Sequence, residues 1–166
     1  MNGNNVDKLR LADRTEAILR SDRSALKKTA RRQQHEPAIL LTLVPDVGPV
    51  IDLMDAYVSD IAEMANLQYV RLIGQEHREL PEHLLDRTFL ALADLTGRDE
   101  SVVTLVYQAL SRGRRVLLAT QDGMEIPEEL GYLPKVTYSL GEGMFDQLLR
   151  AVRQASCSTM EDYIAL

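Results

Sequence analysis

The stretch Ala38-Ile39-Leu40-Leu41-Thr42-Leu43-Val44 is an apolar run of strand length, followed at once by Pro45-Asp46-Val47-Gly48-Pro49. A strand that does not alternate with polar residues is covered on both faces, as a central strand of a parallel sheet is. Beyond the turn, Val50, Leu53, Met54, Val58, Ile61 and Met64 recur at helical spacing, which predicts a helix over Pro49–Asn66. Further strands are predicted at Tyr69–Leu72, Thr88–Leu92, Arg115–Thr120 and Lys135–Tyr138, with helices at Pro81–Asp86, Glu100–Ser111 and Gly143–Gln154. Strands alternating with helices make an α/β domain with a mainly parallel sheet. Right-handed crossovers then leave the flavodoxin-like order 2-1-3-4-5, a three-layer sandwich, as the expected topology. In that order the switch point lies between the first and third strands, so the loops Pro45–Pro49 and Asp94–Ser101 are expected to line the crevice.

Working outward from this body, residues 5–33 contain neither Gly nor Pro and favour helix. Charged residues interrupt their apolar stripe of Leu11, Ile18, Leu19, Ala25 and Leu26, and the Glu36-Pro37 step sets a boundary. Residues 1–36 are thus expected to be a helical arm, 37–155 the α/β body and 156–166 a tail. The formal net charge of −6 divides unevenly: nine Lys or Arg against four acids in residues 1–35, ten against twenty-one in the rest. Arg20, Arg23, Lys27, Lys28, Arg31 and Arg32 form the basic part of the arm. With no aromatic residue among them to stack on bases, a solvated helix or docking on an acidic protein surface, such as the body of a neighbouring copy, is the favoured role, and nucleic acid or acidic lipid the alternative.

A chain of 166 residues, 45% hydrophobic and 27% charged, is long enough for one globular domain with a real core. That excludes a fully disordered, collagen-like or disulfide-stapled protein. No apolar run approaches the roughly 20 residues of a membrane span. The polar start Met1-Asn2-Gly3-Asn4-Asn5 and the single Cys157 point to a cytoplasmic protein.

The segment Phe89-Leu90-Ala91-Leu92-Ala93-Asp94-Leu95-Thr96-Gly97-Arg98 delivers an aspartate from a buried strand to the predicted crevice. It resembles the nucleoside 2-deoxyribosyltransferase-like and TIR-like group, whose strand ends in an Asp-Leu-Thr-Gly-type turn. The resemblance runs more loosely from Ile39 to Val152, taking in the Pro45 loop, the strand bearing Arg71 and the run Arg114–Gln121. It implies a flavodoxin-type domain that acts at the N-glycosidic bond of nucleosides or NAD. In that group the turn leads to a segment of the form Asn-Pro-Asn-Val-x-x-Glu-x-Gly, whose Glu is the nucleophile or contacts the ribose. The corresponding residues here are Asp99-Glu100-Ser101-Val102-Val103-Thr104-Leu105-Val106-Tyr107: Val102 matches, Leu105 replaces the Glu and Tyr107 the Gly. Leucine has neither charge nor lone pair for glycosidic cleavage. Glu100, five residues earlier, points about 140° away on a helix. A degenerate, non-catalytic member is therefore expected, a nucleotide-sensing or protein-interaction domain within a larger assembly. Asp46, Asp94, Thr96, Arg98 and Asp99, with Arg71, are the expected ligand-binding residues. An active enzyme using Asp94 or Asp99, and a nucleic-acid-associated regulator using the arm, are the rival readings.

On the helix bearing Leu105, Val103, Val106 and Leu110 are fit to pack on the sheet, while Val102, Leu105 and Ala109 form a second stripe that needs a cover. Either the domain's own loops or a second subunit supplies it, and a homodimer is expected. Glu76-His77-Arg78-Glu79 with Glu82 and His83 matches no zinc spacing. Neither a phosphate-binding glycine motif nor a G-x-S-x-G elbow is present, so no metal or cofactor is expected.

Overall fold

A computed structural model describes residues 36–46 and 48–157. The arginines and lysines proposed for the arm, and the tail beyond Cys157, lie outside the described residues. The elements follow the order β1 (Ile39–Val44), α1 (Pro49–Met64), β2 (Gln68–Ile73), a 3₁₀ turn (Gly74–Glu76), α2 (Glu82–Leu85), β3 (Thr88–Asp94) and α3 (Glu100–Ser111). β4 (Arg115–Gln121), a second 3₁₀ turn (Glu128–Leu130), β5 (Lys135–Tyr138) and α4 (Met144–Cys157) complete the body. The five strands form one parallel sheet in the order β2-β1-β3-β4-β5, the flavodoxin-like arrangement. All six residues of β1 are buried, as its unbroken apolar run requires.

The helices cover both faces. α1 and α4 share one, where Met54, Val58, Ile61, Leu148 and Val152 pack with Leu40, Leu92 and Leu117. α2 and α3 share the other, where Leu85, Val102, Leu105 and Val106 pack with Leu41, Ala91, Ala93 and Leu118. Local chemistry sets the helix ends. Pro49 begins α1 at a position where the missing N–H costs nothing. Its other end closes on Asn66 in the left-handed region (φ 55°), with Leu67 N–H donating to Ala62 O at 2.9 Å and Asn66 N–H to Glu63 O at 3.0 Å. α3 ends the same way on Gly113 (φ 69°), with Arg114 N–H reaching Ala109 O at 3.0 Å. α4 runs on to Cys157, so the helix takes two residues from the expected tail. Arg115 explains the extension, since its guanidinium donates to Ala155 O (3.2 Å) and Ser156 O (3.4 Å), the carbonyls that a helix C-terminus leaves unmatched.

The second stripe of α3 is covered by the chain itself. Val102, Leu105 and Ala109 expose no surface and pack in one cluster with Leu72, Leu80 and Leu85. Gln108 secures this cover: its side-chain amide accepts from Leu80 N–H at 2.7 Å and donates to Arg78 O at 2.9 Å. These three residues are thus core and not the interaction surface expected of them. The correction has a plain cause, a connector pinned to the helix by Gln108 and by the ion pair of Arg112 with Glu82.

Candidate functional site: the Asp94 turn

β3 brings Asp94 to the carboxyl edge of the sheet, beside β1 and at the switch in strand order. One more ladder bond, Leu95 N–H to Ala119 O at 2.8 Å, carries the chain past the strand. The turn Leu95-Thr96-Gly97-Arg98 then closes with Arg98 N–H donating to Leu95 O at 3.0 Å. Gly97 has φ 86° at the third position of this turn, where a positive φ favours glycine, and Arg98 follows at φ 56°.

Asp94 is completely buried and both its carboxyl oxygens are occupied. Oδ1 accepts from Thr96 N–H at 2.8 Å, and Oδ2 from the Tyr138 hydroxyl at 3.1 Å. Thr96 Oγ1 lies 3.3 Å from the Tyr138 hydroxyl and accepts from Gln121 N–H at 3.1 Å. Each hydroxyl can donate onward, so one chain of hydrogen bonds runs from β4 through the turn and β5 to the carboxyl group. A buried carboxyl costs several kcal/mol unless such partners replace water. Tyr138 responds to the same surroundings: burial pushes its phenol up to about 12, the Thr96 bond opposes this, and Asp94 adds to it.

Asp99 caps α3, its side chain accepting from Ser101 N–H at 2.8 Å and from the Ser101 hydroxyl. Gln75 Nε2 adds a contact to its other oxygen at 3.4 Å. Its slight burial pushes the carboxyl up, but the donors from Ser101, Gln75 and Val102 prevail and hold it below the ordinary range. Arg98 is exposed and forms an ion pair with Glu125 in the loop after β4. Asp46 is exposed in the loop after β1. The turn thus brings Asp94, Thr96, Arg98 and Asp99 to one edge of the sheet. Arg71 lies within β2, on the strand expected to bear it, where its guanidinium stands 3.5 Å from Asp55 and 3.8 Å from Asp52 of α1. Asp55 also accepts from the Tyr69 hydroxyl. Burial, with Asp55 beside it, pushes the Tyr69 phenol well above its usual range.

Two residues of this region escaped the sequence reading. Tyr138 joins Asp94 from 44 positions away, and its only signal was an aromatic with a polar tip at the carboxyl end of an expected strand. Gly74 is the other: a Cβ there would stand 2.3 Å from Ser101 Oγ and 3.1 Å from Val102 N, so the 3₁₀ turn closes on the α3 N-terminus only because the side chain is absent. Leu105 exposes no surface and packs within the core cluster, whereas Tyr107 is 44% exposed.

Among the described residues no group of three metal-ligating side chains occurs, and no helix is long and apolar enough to cross a membrane. Grooves of about 360, 440 and 200 Å³ lie at the opposite, amino end of the sheet, among the C-terminal halves of the helices. No protein-family model and no curated protein matches the chain.

Proposed function

We propose that the chain is a non-catalytic binding domain, a degenerate relative of the nucleoside 2-deoxyribosyltransferase-like and TIR-like group that holds a partner in a larger assembly. One observation carries this reading: position 105, where the group places its carboxylate, is a leucine sealed in the core. Asp94 is a poor substitute, since both its oxygens are engaged within the chain. Asp99 is engaged as a helix cap, with its proton affinity lowered, the reverse of what a general acid needs.

Charge favours a protein partner over a nucleotide. The loops after β1, β3, β4 and β5 carry Asp46, Asp99, Asp122, Glu125 and Glu142 against Arg98, which is itself paired with Glu125. Phosphate groups meet repulsion at such an edge. The direct test is to incubate the full chain, at high concentration, with NAD and with deoxynucleosides, following release of nicotinamide or free base. The expected result is no release. Turnover that Asp94→Asn abolishes and Glu100→Gln leaves unchanged overturns the reading in favour of an active glycosidase.

A further inference from the structure

The outer surface of the α1–α4 layer leaves apolar groups and charges that the other described residues do not match. Met64 is 60% exposed and Leu53 37%. Between the helices Tyr57 meets Phe145 edge-to-face with ring centroids 5.6 Å apart, and a groove of about 200 Å³ opens further along, where Met64 and Arg153 share its lining. The charges on the two sides of this seam differ in sign. α1 contains four acids and no base, whereas α4 contains Arg150 and Arg153 against Asp146 alone. Asp55, and more distantly Asp52, face Arg71. Asp60, Glu63, Arg150 and Arg153 are exposed, and none of the four forms an ion pair with another described residue.

Both helices return from a parallel sheet on the same face, so they run parallel to each other. Because Met64 and Arg153 line one groove, the acids on one flank stand level with the arginines on the other. A two-fold axis lying in the surface along the helices preserves that level while exchanging the flanks. It lays α1 of one protomer on α4 of its partner and sets acids against arginines twice. An axis across the helices instead opposes α1 to α1, with like charges facing. We propose that the α1–α4 face is a homodimer interface of the first kind, with the exposed Met64 of each protomer seated at the groove of its partner. This stands apart from the function proposed above.

Helices of 16 and 14 residues extend about 24 and 21 Å. Two such helices side by side offer a patch near the lower limit of a specific interface, about 1,200 Å² in total. The dimer is therefore expected to be concentration-dependent and, because its charges lie at an exposed rim, sensitive to salt.

Sedimentation of the full chain over a range of concentrations tests this. The wild type is expected to dimerise, more weakly at high salt. Asp60→Arg with Glu63→Arg, and separately Arg150→Glu with Arg153→Glu, are each expected to weaken self-association at least about tenfold. Circular dichroism and melting temperature check that these exposed substitutions leave the fold intact. Mixing the two variants is expected to give a heterodimer, and a chain carrying all four substitutions to dimerise again. A wild type that stays monomeric at its highest soluble concentration overturns the proposal. So does a dimer indifferent to either pair, or one lost with the α1 pair alone, which assigns those acids to a different basic segment.

Discussion

Val102, Leu105 and Ala109 on α3, and Leu53, Tyr57 and Met64 on α1, are apolar stripes of comparable size on helices that cover opposite faces of one sheet. The first is sealed without exposed surface; the second is open, with Met64 mostly in solvent. Helix composition does not separate them. The connector does: between β2 and β3 the chain passes over α3, and Gln108 holds it there by two hydrogen bonds, while Asp60 and Glu63, exposed and without an ion pair to another described residue, flank the stripe of α1. Whether neighbouring polar groups are already used inside the chain is thus a better guide to an interaction surface than apolarity itself.

The largest effect expected from this contrast comes from placing the same charge on each stripe. Leu105→Glu buries a carboxylate with no partner and is expected to cost about 3–5 kcal/mol, whereas Met64→Glu stays within about 0.5 kcal/mol in the dilute monomer. Denaturant unfolding of the two variants side by side measures the gap; equal midpoints would break the comparison.

A smaller loss is expected at the close approach of the β2 end to α3. Gly74→Ala forces a Cβ against Ser101 Oγ and the Val102 backbone, for about 1–3 kcal/mol. Adding Ser101→Ala should recover part of this but not all, because the backbone contact remains. A double-mutant cycle reports the coupling, and strict additivity would show that the two residues do not meet in this way.

The cap of α3 gives the smallest effect, and one that depends on pH. Asp99→Ala is expected to lose about 1 kcal/mol near neutral pH. Since the folded carboxyl is held below its ordinary value, the contribution is fully present above the unfolded value of about 3.9 and disappears as pH falls through the folded one. Melting curves of wild type and variant should converge in acid. A gap that persists to about pH 2 means that the lost stability is not the carboxylate's.

Much of the architecture was legible because its signals are local. The unbroken run at β1 and the helical spacing after it required a strand covered on both faces, and the short connections left one practical strand order. The limits of α3 and β5 match, whereas several others differ by one to three residues, as at α4, where the side chain that extends the helix lies 40 positions earlier in β4. The Asp94 turn was legible in part. Its aspartate, glycine and helix cap are contiguous in sequence, whereas the Tyr138 hydroxyl and the bare backbone of Gly74 reach it only through the fold. The strand position of Arg71 was legible, whereas the approach of Asp52 and Asp55, one helix earlier, arises only through the fold.

Gln108 also bears on solvent exchange. Leu80 N–H belongs to no helix or strand, yet it donates to a side chain fixed on α3, and Leu80 itself is only 5% exposed. Amide exchange at Leu80 should follow the opening of α3 rather than that of a loop. The connector and α3 would then open as one cooperative unit, joined through the Gln108 amide and the Arg112–Glu82 ion pair.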